Sequence, residues 1–237
     1  MTWRRKRATY SAMDAVIKFI KLHIPKFKLD FKNKSWKLRF IGLLLRPFNS
    51  KFMTEYITTL KWTVYFPNEE YLEKYPKTSE LILLHEFVHL WDRKHQGALF
   101  SFLYLCPQIL AVIPMVALLI AGWFMPWWVN IGLGILTGVL LLPFPSPWRM
   151  RAELRGYTMN LAYAHWTWDS QLNCNDNFVV RQFTGWGYYK MWGDRKDMEK
   201  RFIEVRKNIM EDKLDEPFLL AKKFVQDAKT LTAREEK

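Results

Sequence analysis

The chain has 237 residues, a formal net charge of +13 and two cysteines. That length holds one medium domain, or a small domain with a membrane element. Neither Cys106 nor Cys174 belongs to a CxxC pair, which excludes a disulfide framework and a Cys-rich zinc module and points to a reducing compartment.

The charge is segregated. Residues 96–148 contain no Asp, Glu, Lys or Arg, whereas both ends of the chain are densely charged. This is the pattern of a membrane segment between soluble segments. Residues 1–50 carry thirteen Lys/Arg against Asp14 and Asp30, so eleven of the thirteen net positive charges sit there. On charge alone such an arm suits lipid headgroups or nucleic acid equally; the adjacent apolar stretch favours lipid and sets nucleic acid aside. Arg4, Arg5, Lys6 and Arg7 precede an apolar stretch that Lys18 and Lys21 interrupt, so no signal peptide is expected.

In chain order, residues 11–24 read as a basic amphipathic helix, with Ser11 and Asp14 as a capping box. Ala12, Val16, Phe19, Ile20 and Ile24 share one side, which suits either packing on its own domain or a place in the membrane interface. Residues 57–66 are rich in β-branched and aromatic side chains and predict a strand closed by Pro67 and Asn68. A long helix is expected over 78–94. Residues 99–120 are long enough to cross a bilayer, with kinks at Pro107 and Pro114. Residues 121–128, with Gly122, Pro126 and three tryptophans, predict a turn at headgroup level, and a second span returns to about residue 142. Pro143, Pro145 and Pro147 end this hairpin. Ser146 and Pro147 then open a helix over 148–168. From residue 194 the tail is charged and helical in pattern, with Phe202, Val205 and Ile209 as its apolar stripe.

His85-Glu86-Phe87-Val88-His89 is an HExxH motif. Residues four apart share a helix face, so both imidazoles can reach one Zn²⁺, and Glu86 is held beside a zinc-activated water as general base. Leu81 to Leu84 before the motif and Leu90 and Trp91 after it predict a buried helix, as an active-site helix requires. A catalytic zinc needs a third protein ligand. His95 gives HEFVHLWDRKH, which is similar to the metzincin pattern HExxHxxGxxH, with Asp92 where that family has the Gly that turns the chain. The other candidate is Glu153, in Arg151-Ala152-Glu153-Leu154-Arg155-Gly156-Tyr157, on the helix after the hairpin.

With Glu153 the chain resembles the gluzincins, in which a Glu from a second helix completes a His₂Glu site. It is similar to the integral-membrane gluzincins, the group of the heat-shock membrane peptidase and the prenyl-protein peptidases, which place a membrane hairpin between the HExxH helix and the ligand Glu. It also resembles the minimal gluzincins, which keep little beyond a strand, the HExxH helix and the Glu helix. The likeness covers roughly residues 61–163 in order of elements and is sharp at His85, Glu86, His89 and Glu153. It departs at Tyr157, where many gluzincins carry an Asp that supports the first His. Topology and helical phase favour Glu153, because a two-span hairpin returns the chain to the face it left, and His95 stays the alternative. Oxyanion donors are sought in Tyr188, Tyr189 and His165.

The expectation is therefore a mainly helical α+β protein with a minimal gluzincin-like zinc peptidase core and an inserted two-helix transmembrane hairpin. Its parts are a basic N-terminal segment (1–50), a strand region with the HExxH helix (51–97), the hairpin (98–145), a third-ligand helix with an aromatic segment (146–193) and a charged helical tail (194–237). The expected function is a membrane-anchored zinc metallopeptidase acting on protein or peptide substrates. Basic residues on both flanks of the hairpin place both termini and the active site in the cytoplasm. The alternatives are an inactive membrane adaptor that retains a zinc site, and a basic nucleic-acid- or lipid-binding membrane protein with an accidental HExxH.

Overall fold

The computed structural model describes residues 3–46, 50–142, 144–168, 176–185 and 191–235. The chain is mainly helical with one small sheet. Helix α1 (Trp3–His23) leads to strand β1 (Lys28–Phe31) and helix α2 (Trp36–Leu45). A tight pair, β2 (Thr58–Leu60) and β3 (Thr63–Phe66), follows, then helices α3 (Glu69–Lys74) and α4 (Pro76–Gln96). The sheet order is β1-β3-β2, with β1 parallel and β2 antiparallel to β3, which leaves β2 on an edge.

Three expectations are modified here. The helix expected over 11–24 begins at Trp3, so Ser11 lies inside it and does not cap it. The single strand expected over 57–66 is instead two strands, reversed at Lys61, whose φ of 56° provides the turn. β1 was not anticipated, because Lys28-Leu29-Asp30-Phe31 is short and half charged. The apolar side of α1 is not free for lipid. Val16, Phe19, Ile20 and Ile24 are buried against Leu84, Phe87 and Leu90 of α4, together with Val64 and Phe66 of β3. Each such side chain contributes about 1.5–3 kcal/mol by leaving water.

The apolar stretch forms helix α5 (Ala98–Leu105), a 3₁₀ turn (Gln108–Ala111), α6 (Val112–Ala121) and α7 (Trp127–Leu141). Residues 99–120 do not make one straight span: α5 meets the segment 108–121 at a bend of 85°. No single helix among the described residues is long and apolar enough to cross a membrane; the bent pair passes by length and composition. Helices α6 and α7 pack on each other.

Helix α8 (Pro147–Trp168) begins as Ser146 and Pro147 predict. Ser146 Oγ accepts from Arg149 N at 3.4 Å and donates to Cys106 O at 2.8 Å. Helices α9 (Asp176–Thr184), α10 (Arg195–Met210) and α11 (Glu216–Glu235) complete the chain. α8 serves two cores. Met159 and Tyr163 join the core of α1 and α4, while Met150, Leu161 and Ala162 meet Phe183 of α9 and Phe202, Val205 and Ile209 of α10. Burial on both sides fixes α8 against α4, and that contact positions the site.

Candidate metal centre

α4 has no Gly or Pro between Lys77 and Gln96, and Pro76 starts it at a position where a missing N–H costs nothing. One turn therefore separates His85 from His89, and their Nε2 atoms lie 3.1 Å apart. Glu153, on the first half of α8, reaches into the same point. Its Oε2 is 3.3 Å from His85 Nε2 and its Oε1 is 3.7 Å from His89 Nε2. The three side chains are 12%, 8% and 7% exposed, and their ligand atoms all fall within 4.8 Å of one another.

This group fits a metal ion. Metal–nitrogen and metal–oxygen bonds of about 2.0–2.1 Å in a tetrahedron put neighbouring ligand atoms about 3.3 Å apart, close to the 3.1–3.7 Å seen here. Among the described residues three protein donors converge, so a tetrahedral ion held by them would have a fourth position for another ligand. Two imidazoles and a carboxylate suit a divalent transition metal.

The electrostatics fit the same role. Burial opposes ionisation of Glu153, but the hydrogen bond with His85, the charges of both imidazoles and the Tyr104 hydroxyl outweigh it and hold the carboxyl at about 2. Burial likewise works against a charged His85, yet Glu153 and Glu86 raise its pKa above the usual histidine value. At His89 burial, aided by His85, prevails over the carboxylates and lowers the pKa. Each shift leans towards the form that binds a metal, Glu153 towards the carboxylate and His89 towards the neutral imidazole.

Neighbouring elements hold these groups in place. Thr59 Oγ1 on β2 donates to Glu86 Oε2 at 2.6 Å, and Oε1 has no hydrogen-bond partner among the described residues. Tyr104 on α5 donates its hydroxyl to Glu153 Oε1, and its ring lies 5.9 Å from that of His89. Asn160 Nδ2 is 3.4 Å from His85 Nδ1. Gly156 makes the approach of α8 possible, since a Cβ there would stand 2.4 Å from His85 Nε2. Tyr157 sets its ring edge-on to His85 at 5.2 Å.

His95 is elsewhere. α4 continues through Asp92 to Gln96, so the chain does not turn back; His95 is exposed and its Nδ1 is 2.9 Å from Trp91 O. Asp92 instead takes a two-pronged ion pair from Arg155, at 2.9 and 3.0 Å. His165 is twelve residues past Glu153 on α8, about 18 Å along the axis, and is not in the group. Tyr188 and Tyr189 lie outside the described residues.

Sequence reasoning overlooked Thr59, Tyr104, Gly156 and Asn160. Three carried a signal. Positions 153, 156 and 160 share a face of one helix, and Tyr104 is the one tyrosine in the uncharged stretch 96–148. Thr59 had none, because its partner is 27 residues away.

A cavity of about 260 Å³ lies between α4, α5 and α8, lined by Asp92, Phe100, Tyr104, Trp148, Arg151 and Arg155 among others. No protein family, curated protein or solved structure matches the chain.

Proposed function

We propose that the protein is a membrane-anchored zinc metallopeptidase of minimal gluzincin type, with zinc held by His85, His89 and Glu153. The observation that carries this reading is the convergence of those three side chains, from two helices, at tetrahedral spacing beside Glu86. Zinc bound there supplies a Lewis acid that polarises a peptide carbonyl and lowers the pKa of water.

The remaining steps belong to the chain. Thr59 fixes one oxygen of Glu86 and leaves the other to accept a proton from the attacking water. Glu86 then returns that proton to the departing amine nitrogen as the C–N bond breaks. Tyr104 orients Glu153 through its hydroxyl, and Gly156 allows α8 to bring Glu153 against α4. The apolar hairpin α6–α7 holds the protein in the bilayer, with its basic flanks, the site and both termini on the cytoplasmic side. Substrates are proteins or peptides within reach of that surface.

The test is zinc content set against hydrolysis. Purified protein should carry about one zinc per chain, and His85→Ala or His89→Ala should lose it. Glu86→Gln should keep zinc and lose peptide hydrolysis, because it removes the base and no ligand. Well-folded protein without stoichiometric zinc, or a fully active Glu86→Gln, would overturn the reading.

A further inference from the structure

Helix α5 has two faces with different partners. Phe100 and Tyr104, one turn apart, point to the metal group. Their rings lie 6.1 and 5.9 Å from the His89 ring, and the Tyr104 hydroxyl donates to Glu153. Leu99, Phe102 and Leu105 lie on the other side, and they are 57%, 46% and 43% exposed. No charged residue interrupts that outer face.

Its direction is also informative. α5 meets the 108–121 segment at 85°. If α6 and α7 stand along the bilayer normal, α5 lies in the bilayer plane. Its outer face is continuous in the chain with the apolar surface of the hairpin, where Ile113, Leu119, Ile120, Ile131 and Ile135 are 53–71% exposed. Arg93 and Lys94 precede α5, and Arg149 and Arg151 open α8, which suits anionic headgroups at that level.

We propose that α5 is an interfacial helix, with lipid on its outer face and the metal group on its inner face, so that contact with a bilayer seats Tyr104 on Glu153. An eight-residue helix is marginal in water on its own, so its order depends on what it packs against. On the inner side Arg93 donates to Ser101 Oγ at 2.6 Å and Arg149 Nε donates to Tyr104 O at 2.9 Å. Lipid supplies the other side. A helix is about 10 Å thick, so the metal group lies about one helix from the bilayer. The substrate is then a peptide segment lying at the membrane surface. This rests on the metal and membrane reading above, and its test separates the two.

Spin labels are placed singly at Phe102→Cys and Phe124→Cys in a Cys106→Ser/Cys174→Ser background. The full-length protein is reconstituted in nanodiscs of twenty-two-carbon phosphatidylcholine and phosphatidylglycerol, thick enough to keep the hairpin tip in hydrocarbon, and label depth is measured by power saturation. The expected result is the label at 102 in the headgroup–acyl boundary with the label at 124 inserted. Label 124 inserted with label 102 in water overturns the proposal and leaves the membrane reading standing. Both labels in water overturn both. Spin–spin coupling between labels at 102 marks a second copy on that face and overturns the lipid assignment.

The coupling arm measures zinc affinity by chelator competition. Replacing Leu99, Phe102 and Leu105 together by Ser should weaken zinc binding in nanodiscs about tenfold, as should Tyr104→Phe, the scale of losing support to a metal ligand. Unchanged affinity in the triple variant, with Tyr104→Phe weakened, overturns the link between lipid contact and the site.

Discussion

His85 has two ring nitrogens with separate tasks. Nε2 faces His89 and Glu153, so a metal ligand there forces the ring proton onto Nδ1. The group opposite Nδ1 is the Asn160 amide, whose nitrogen lies 3.4 Å away and whose oxygen is buried with no partner among the described residues. Nitrogen and oxygen of an amide are interchangeable by rotation. Turning it places the unpaired oxygen against the Nδ1 proton and satisfies both at once. Asn160 would then support His85 from α8, one turn past Tyr157. Asn160→Leu should therefore lower zinc affinity about 10–100-fold, whereas Asn160→Asp should keep it, because a carboxylate also accepts from Nδ1–H. Chelator competition gives the affinity, and ¹⁵N NMR of the ring gives the tautomer. An Asn160→Leu protein that binds zinc normally with the Nδ1 proton unmoved would remove this role from Asn160.

At the level of elements, the centre depends on α4 and α8 keeping their register, and one ion-pair set ties them. Arg155 bonds Asp92 of α4 with two nitrogens and reaches Asp215, just before α11, at 2.8 Å. The Asp92 side chain is 10% exposed, so removing its partner strands a nearly buried carboxylate. Arg155→Met should cost about 3 kcal/mol in urea unfolding, and adding Asp92→Leu should recover much of it, since an apolar pair of similar size carries no desolvation penalty. A cost within about 0.5 kcal/mol would mean that α4 and α8 hold their register through apolar contact alone. The same two helices show what a sequence can disclose. His85, Glu86 and His89 were legible because their spacing is local to one helix. Glu153 was legible as the acidic residue near the start of the helix that Ser146 and Pro147 announce, and that helix does carry it beside His85 and His89. The bend between α5 and α6 was not legible: in a stretch where nearly every residue is apolar, no face differs from another and periodicity has no phase. Pro107 marked a kink but not its size, and the contacts that Phe100, Tyr104 and Arg149 make beside the bend are tertiary. Asp92 was legible only as standing where the metzincin pattern has its turning Gly; its partner Arg155, 63 residues away, was not.

For the whole molecule, charge and length together make a demand on the bilayer. Arg93 and Lys94 enter the apolar region and Arg149 and Arg151 leave it, and residues 96–148 carry no charge. With both flanks basic, both should face the cytoplasm. The hairpin arms are short. α7 has fifteen residues, about 22 Å at 1.5 Å per residue, against a hydrocarbon core of about 30 Å. The turn between them exposes Trp123, Phe124, Trp127 and Trp128, from 64% to 91%, and tryptophans of this kind settle at headgroup level. A hairpin that inserts as proposed must thin the bilayer around it to reach the far headgroups, at a modest cost for each ångström of mismatch. Crossing should therefore depend on lipid length. In vesicles of fourteen-carbon lipids, a cysteine at 124 in place of Phe124 should react with a membrane-impermeant maleimide from the side opposite to cysteines placed at Arg93 and Arg151. In vesicles of twenty-two-carbon lipids its reactivity should fall on both sides as the tip withdraws into the hydrocarbon, while positions 93 and 151 keep their common side. Position 124 reacting from the same side as position 93 in every lipid would show that the hairpin never enters the bilayer. Opposite sides for positions 93 and 151 would put His85 and Glu153 on different faces of the membrane, and one ion could not join them.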